Sequence, residues 1–216
     1  MQCLQRLLPD VRGATVLDVA CGQGLATRLL AAAGAHRVVG TDQSEAVIAI
    51  AQHHSDPAST SDISYVVDDA QQLQAFDDST FDGGTCQLGL MDIPDLHAAL
   101  KAIHRVLRPN GWVAIVIGHP CFLVPEVDTT APVGGRPAVT GTGYFDERIW
   151  RSNNPNGVRR AGNHHRTLST YLNGLIRAGF VLDAVDEPKA SDLLMRQQPL
   201  YGEVPIFFAC RAIRHR

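Results

Sequence analysis

The stretch Val16-Leu17-Asp18-Val19-Ala20-Cys21-Gly22-Gln23-Gly24 decides the fold. Thr15 to Ala20 reads as a buried strand, and it runs straight into a glycine turn. A helix follows, with Leu25, Leu29 and Ala32/Ala33 on one apolar face and Gly34 placed to end it. Gly22 and Gly24 lack a Cβ, so the backbone there can turn sharply and approach a ligand closely. A second strand, Arg37 to Thr41, ends at Asp42, about 20 residues beyond the turn, where a carboxylate can accept hydrogen bonds from two ribose hydroxyls. The first half of the chain is built to hold a nucleoside.

Outward from this core, strands alternate with helices through residue 117, which predicts a parallel sheet with helices on both faces. Ser44 caps a helix running to about His53, and Ile63 to Val67 is the third strand. Phe81 to Leu88 is the fourth, although its glycines weaken the strand pattern. Asp92-Ile93-Pro94 opens a helix whose apolar face is Leu96, Leu100, Ile103 and Leu107. Arg108-Pro109-Asn110-Gly111 reads as a turn, and Trp112 to Gly118 as the fifth strand. The pattern then breaks over residues 119–166, where Pro120, Pro125, Pro132, Pro137 and Pro155 fall among several glycines; so long a connection is usually functional or disordered. A helix from Leu168 to Ala178, with Leu168, Leu172, Leu175 and Ile176 apolar, leads to a strand from Phe180 to Asp186 and a last strand from Val204 to Ala212.

Two details distinguish among nucleosides. The dinucleotide fingerprint wants a third glycine where this chain has Thr27, and Asp18 would repel a pyrophosphate but not a ligand carrying an ammonium group. Asp18 with Cys21-Gly22-Gln23-Gly24 resembles the first motif of class I S-adenosylmethionine-dependent methyltransferases, small-molecule type. Asp68-Asp69-Ala70-Gln71, Phe81-Asp82, Cys86-Gln87-Leu88-Gly89-Leu90-Met91 and Arg105 to Gly111 match further motifs of that family in register, so the likeness covers roughly residues 15 to 117. It implies a Rossmann-like, doubly wound α/β domain of seven strands, the last antiparallel between the fifth and sixth. It also implies S-adenosyl-L-methionine as cofactor, with Asp18 near its amino group, Asp42 and Gln43 at the ribose, and Asp69 and Ala70 at the adenine. Cys21, Gly22 and Gly24 would pass under the ligand, and Gln87 and Leu88 would flank the methyl group. The fourth motif is not Asn-Pro-Pro-Tyr or Asp-Pro-Pro-Tyr, which counts against the amino-group methylases of DNA. Relatives often carry a helical lid before the first motif. Here about 15 residues precede it, with Leu4, Leu7 and Leu8 as a short apolar patch, so either the 119–166 insertion covers the site or the site is open.

Methyl transfer asks the protein to align a nucleophile with the methyl and, for a hydroxyl or thiol, to remove a proton. His119, one residue beyond the fifth strand, and His165, at the end of the insertion, are the candidate bases, because histidine titrates near neutrality. Tyr144 and Arg166 are candidate substrate contacts. Between Arg148 and Arg166 stand five arginines and no acidic residue, with Trp150 among them; this is a clamp for an anionic substrate, an RNA contact, or a solvated loop. The expected reaction is transfer to a small-molecule acceptor at a hydroxyl or other heteroatom. The competing readings are a cofactor-binding domain without catalysis and a methyltransferase acting on RNA or protein.

Composition sets outer bounds. The chain has 216 residues, 45% hydrophobic and 19% charged, with net charge −3, enough for one domain over residues 1–216 and without the charge of a general nucleic-acid binder. The run from Trp112 to Ile117 is far too short to span a bilayer, and the first residues lack the pattern of a signal peptide. Five scattered cysteines with no CxxC pair predict neither disulfides nor a zinc site and fit a reducing cytoplasm; no metal is expected.

Overall fold

The computed structural model describes residues 2–54, 62–123, 126–128, 140–151, 162–197 and 199–215. In chain order the elements are α1 (Gln2–Leu7), β1 (Thr15–Val19), α2 (Leu25–Ala32), β2 (Arg37–Asp42), α3 (Glu45–His53), β3 (Asp62–Val67), β4 (Phe81–Gln87), α4 (Leu96–Val106) and β5 (Leu107–Gly118). Short strands β6 (Glu126–Asp128), β7 (Thr140–Thr142), β8 (Ile149–Trp150) and β9 (Asn163–His164) follow. The chain closes with α5 (Leu168–Arg177), β10 (Phe180–Asp186), α6 (Asp192–Gln197), a 3₁₀ turn over Pro199–Gly202, and β11 (Phe207–Arg214).

The main sheet has seven strands in the order β10-β11-β5-β4-β1-β2-β3. β1 pairs in parallel with β2 and β4, and β11 runs antiparallel between β5 and β10, as expected. The chain order reverses at β1, between β2 and β4, and that reversal opens a crevice at the carboxyl ends of the strands. Alternation along the strands divides the core between the two faces. Val16, Val38, Ala114 and Val116 pack with Leu4, Leu7 and Leu30 on one face. Leu17, Val19, Val39, Ile115 and Ile117 pack with α4 and α5 on the other.

Four local expectations are corrected. Helix α2 buries Ala26, Thr27, Leu30 and Ala31, while Leu25 is 56% exposed and Ala32 and Ala33 face solvent. The helix is turned because Thr27 Oγ1 donates to Asp18 Oδ2 at 2.7 Å, which draws the small-residue face onto the sheet. Helix α4 begins at Leu96 rather than at Pro94, because Asp95 is the N-cap and accepts from the Ala98 N–H at 2.9 Å. The segment 108–111 is a bulge within β5: Leu107 already pairs with Phe81, and Trp112 pairs with Gly83. Asp82 anchors the bulge by accepting from the Arg108 guanidinium and, at 2.8 Å, from the Thr15 N–H. In α5 the buried face is Tyr171 and Leu175, and Ile176 is exposed. The fourth strand holds despite its glycines, because the Trp112 indole lies over Gly83, where a Cβ would come within 2.0 Å of it.

Candidate active site

A cleft of about 590 Å³ lies at the carboxyl ends of β1, β2 and β4. Its floor begins at the glycine turn. Gly22 and Gly24 have φ of +54° and +77°, and a Cβ on Gly24 would come within 2.3 Å of the Tyr65 hydroxyl, so that position admits only glycine. Of the five non-glycine residues in the left-handed region among the described residues, two, Ala20 at φ +53° and Leu88 at +59°, stand at the ends of β1 and β4. Both line the cleft, and strain of this kind concentrates where a site is shaped by its backbone.

Asp42 ties the cleft together. Its Oδ2 accepts from the Gly22 N–H at 3.1 Å and its Oδ1 from the Ser44 N–H at 3.0 Å, so one carboxylate fixes both the glycine turn and the start of α3. Beyond β3, Asp68 accepts from the N–H groups of Asp69 and Ala75, and Asp69 Oδ1 accepts from the Gln71 N–H at 2.9 Å, which holds this loop in a fixed turn. Of the cofactor-binding residues expected from sequence, Cys21, Gly22, Asp42, Gln43, Asp69, Ala70, Gln87 and Leu88 line the cleft. Burial pushes the Cys21 thiol far above its usual pKa, so it lines the wall as a neutral group.

Asp18 and Gly24 stand apart from that lining. Asp18 is 1% exposed and lies under the floor, where Thr27 Oγ1 donates to it at 2.7 Å and Thr85 Oγ1 at 2.8 Å. Burial outweighs these two hydrogen bonds and raises its pKa to about 6. The residues that sequence reasoning missed are Ala20, Val47, Asp68, Gln71, Gly89, Asp92, Ile93, Pro94 and Gly162. Gln71, Gly89, Asp92, Ile93 and Pro94 follow β3 or β4 at the carboxyl edge, so their position was a usable signal. Gly162 comes from the far end of the insertion and carried none.

The candidate bases are both buried. The His119 ring accepts from the Cys121 N–H at Nδ1, 3.2 Å, and its Nε2 lies 2.7 Å from Glu187 Oε1. Nε2 therefore carries the proton, both ring nitrogens are engaged, and the ring packs on Phe122 and Phe208. His119 serves here as a buried strut between β5 and the end of β10, and not as a group open to an acceptor. His165 is 5% exposed and holds its Nε2 2.9 Å from the Tyr144 carbonyl oxygen, to which it can only donate. The tautomer that results leaves Nδ1 as the basic nitrogen. His165 and His164 line two small recesses beside the cleft, one of them with Met91, Asn163 and Tyr171, the other with Pro94, Glu147 and Ile149.

Arg166 and Tyr144 act differently from a substrate clamp. The Arg166 guanidinium, 8% exposed, donates to the carbonyls of Leu90 at 3.0 Å, Ile93 at 2.7 Å and Pro94 at 2.7 Å. The Tyr144 hydroxyl accepts from the Leu168 N–H at 3.1 Å, and Glu147 accepts from the N–H and hydroxyl of Thr167, so together they cap α5. Arg148 pairs with Asp146 at 3.1 Å, whereas Arg159 and Arg160 lie outside the described residues. α1 packs on β5, β10 and β11 and contributes nothing to the cleft lining. No helix among the described residues is long and apolar enough to cross a membrane.

The lining has a marked electrostatic character. Asp42, Asp68, Asp69 and Asp92 face the cleft, and no lysine, arginine or histidine does so among the described residues. Such a wall repels pyrophosphate and favours a ligand with positive charge, so the residues present fit a sulfonium nucleoside with an ammonium group. Comparison with known proteins agrees. Residues 17–115 match the family described as "Methyltransferase domain". The chain is 35% identical over 106 residues to a ubiquinone biosynthesis O-methyltransferase of Paracidovorax citrulli, a match covering 49% of this chain and 44% of that protein. It is 39% identical over 104 residues to a demethylmenaquinone methyltransferase of Staphylococcus epidermidis, covering 47% and 42%. The chain thus spans under half the length of these curated relatives. A crystal structure of an S-adenosylmethionine dependent methyltransferase from Mesorhizobium loti superposes with a TM-score of 0.83 at 28% identity, covering 99% of this chain and 96% of that one. The glycine turn, the acidic cleft at the strand reversal and these likenesses agree: residues 17–115 form a methyltransferase domain, and the chain as a whole is similar to class I S-adenosylmethionine-dependent methyltransferases.

Proposed function

We propose that this chain transfers the methyl group of S-adenosylmethionine to a small-molecule acceptor at a hydroxyl or other heteroatom. The observation that carries the proposal is the acidic, glycine-floored cleft, with four carboxylates and no cationic side chain among its described lining residues. The acceptor class is supported by the relatives, whose names refer to ubiquinone biosynthesis and demethylmenaquinone. When bound, the cofactor supplies a sulfonium methyl that is already electrophilic. Asp42 receives the ribose hydroxyls, Asp69 the adenine amino group and the Ala70 N–H the ring. Asp18 stabilises the ligand's ammonium from beneath the floor, and Gln87 and Leu88 edge the reacting methyl. Residues 162–166, the described end of the insertion, form the acceptor side, because Gly162 lines the cleft and His164 and His165 line the recesses beside it. His165 accepts the acceptor's proton at Nδ1, with its ring held by the Tyr144 carbonyl. Arg166 lines the recesses and Tyr144 holds the start of α5, rather than binding substrate charge. The five unpaired cysteines suit a reducing compartment, and the residues 1–216 act as one domain.

The test combines binding with turnover. Thermal shift with S-adenosylhomocysteine and with NAD separates the nucleosides; a shift with NAD alone ends the proposal. Methyl transfer is then screened over phenols, hydroxyquinolines, amines and thiols, with and without EDTA. Turnover on a small phenol that EDTA leaves unchanged is the expected result. Turnover on RNA alone transfers the activity to another substrate class.

A further inference from the structure

The loop from Leu90 to Pro94 joins β4 to α4 and has little secondary structure of its own. Asp92, Ile93 and Pro94 on its inner side line the cofactor cleft. Its outward carbonyls are gathered by a segment some 70 residues away in sequence. The His164 N–H donates to the Met91 carbonyl at 2.7 Å, and Arg166 donates to those of Leu90, Ile93 and Pro94 at 3.0, 2.7 and 2.7 Å. Thus four of the five carbonyls of the loop are held by residues 164 and 166. The same segment lines the recesses on the acceptor side.

We infer that Arg166 is a positioning residue that couples the two halves of the site: it holds the 90–94 loop in the shape that receives the cofactor, and thereby links cofactor binding to the order of the acceptor-side segment. This rests on the proposed function for the identity of the ligand. The coupling has a definite physical basis. The loop's peptide groups have little local structure to satisfy them, so the buried fork of Arg166 is what specifies their orientation. A ligand pressing on Asp92, Ile93 and Pro94 from within stabilises that loop shape, in which three carbonyls converge on the guanidinium. By linkage, whatever orders the 163–167 segment from the acceptor side tightens cofactor binding by the same factor. Lysine is not equivalent, because an ammonium is a single point and cannot present donors in the fixed fork that reaches carbonyls at Leu90 and at Ile93 and Pro94 together.

The experiment is amide hydrogen exchange over residues 163–167, with and without saturating S-adenosylhomocysteine, on the full chain, together with calorimetric affinity for that nucleoside. None of these five residues lines the cofactor cleft, so direct shielding does not account for a change there. In the wild type, the nucleoside is expected to slow exchange at 163–167. In Arg166→Lys it is expected to bind about 10-fold more weakly, within the usual range of coupling energies, and to leave exchange at 163–167 unchanged. A purely structural role would raise exchange in the free and bound states alike and leave the ligand-induced difference intact, which would overturn the inference. So would a wild type that binds the nucleoside without any added protection at 163–167. A wild type that does not bind it at all overturns the proposed function as well, and the calorimetry shows which has failed. Should Arg166→Lys not fold, His164→Pro carries the test. It removes the one donor to Met91, keeps the buried cation, and is expected to shrink the ligand-induced protection; full protection refutes the coupling.

Discussion

Asp42→Ala tests the heart of the cofactor site. In the free protein Asp42 accepts from Gly22 and Ser44, so the substitution leaves two main-chain N–H groups without their acceptor. That should cost about 1–3 kcal/mol of stability, since both groups are only partly buried. Its larger effect is on binding. A hydroxyl hydrogen-bonded to a carboxylate contributes about 1.5–3 kcal/mol, so the affinity for S-adenosylhomocysteine should fall about 10- to 150-fold. At a ligand concentration about 100 times the wild-type Kd, the wild type gains about 2.7 kcal/mol on binding. At that same concentration the variant gains only about 0.3–1.4 kcal/mol. For a chain of this size each kcal/mol moves Tm by about 2–4 °C, so the wild-type shift of about 5–11 °C should drop to about 1–6 °C. The assay is thermal melting of both proteins across a ligand titration, with apo Tm values recorded separately. A variant whose ligand-induced shift equals that of the wild type would refute the role of Asp42, whatever its apo stability.

Asp18 predicts an unusual pH dependence. Its pKa is raised to about 6 in the fold by burial, above the value of 3.8 it has when free, so the folded state holds its proton more tightly than the unfolded state. The stability it contributes is therefore complete below pH about 4 and lost as pH rises to about 6, by about 3 kcal/mol in all. Asp18→Asn, whose amide can still pair with Thr27 and Thr85, should flatten that slope in urea melts between pH 4 and 7; an unchanged slope assigns it to other groups. His165→Ala should lose about 10²- to 10⁴-fold in turnover while binding cofactor normally. His119→Ala, which empties a buried position and breaks its contact with Glu187, should lower Tm first, and equal turnover losses at constant stability in both variants would contradict these assignments. Gly89→Ala places a Cβ 2.5 Å from the Ala20 Cβ, so it should force the ends of β1 and β4 apart. A cost of about 1–3 kcal/mol and weaker nucleoside binding are expected, and calorimetry showing wild-type affinity would count against the close packing of those ends.

The frame of the cofactor half is legible in short-range sequence signals. Gly22, Gly24 and Asp42 were legible because their places are set by local rules: a left-handed turn favours glycine, and the end of the second strand lies at the carboxyl edge of the sheet, where Asp42 lines the cleft. The alternation of strands and helices was legible for the same reason, since period and capping act within a few residues. Partnerships between residues far apart in the chain emerge only in the folded molecule. Asp18 is recognisable as an acidic residue of the first strand, but only the fold shows that it lies beneath the cleft floor with Thr27 and Thr85 on its two oxygens, and that α2 buries Ala26, Thr27, Leu30 and Ala31. His119 looked like a base until Glu187, 68 residues on, took its Nε2. Arg166 looked like a clamp for an anion until its guanidinium met three carbonyls of a loop more than 70 residues before it. A polar side chain shows in sequence what it can bond, but burial removes water as the competing partner, and the fold alone determines which group takes its place.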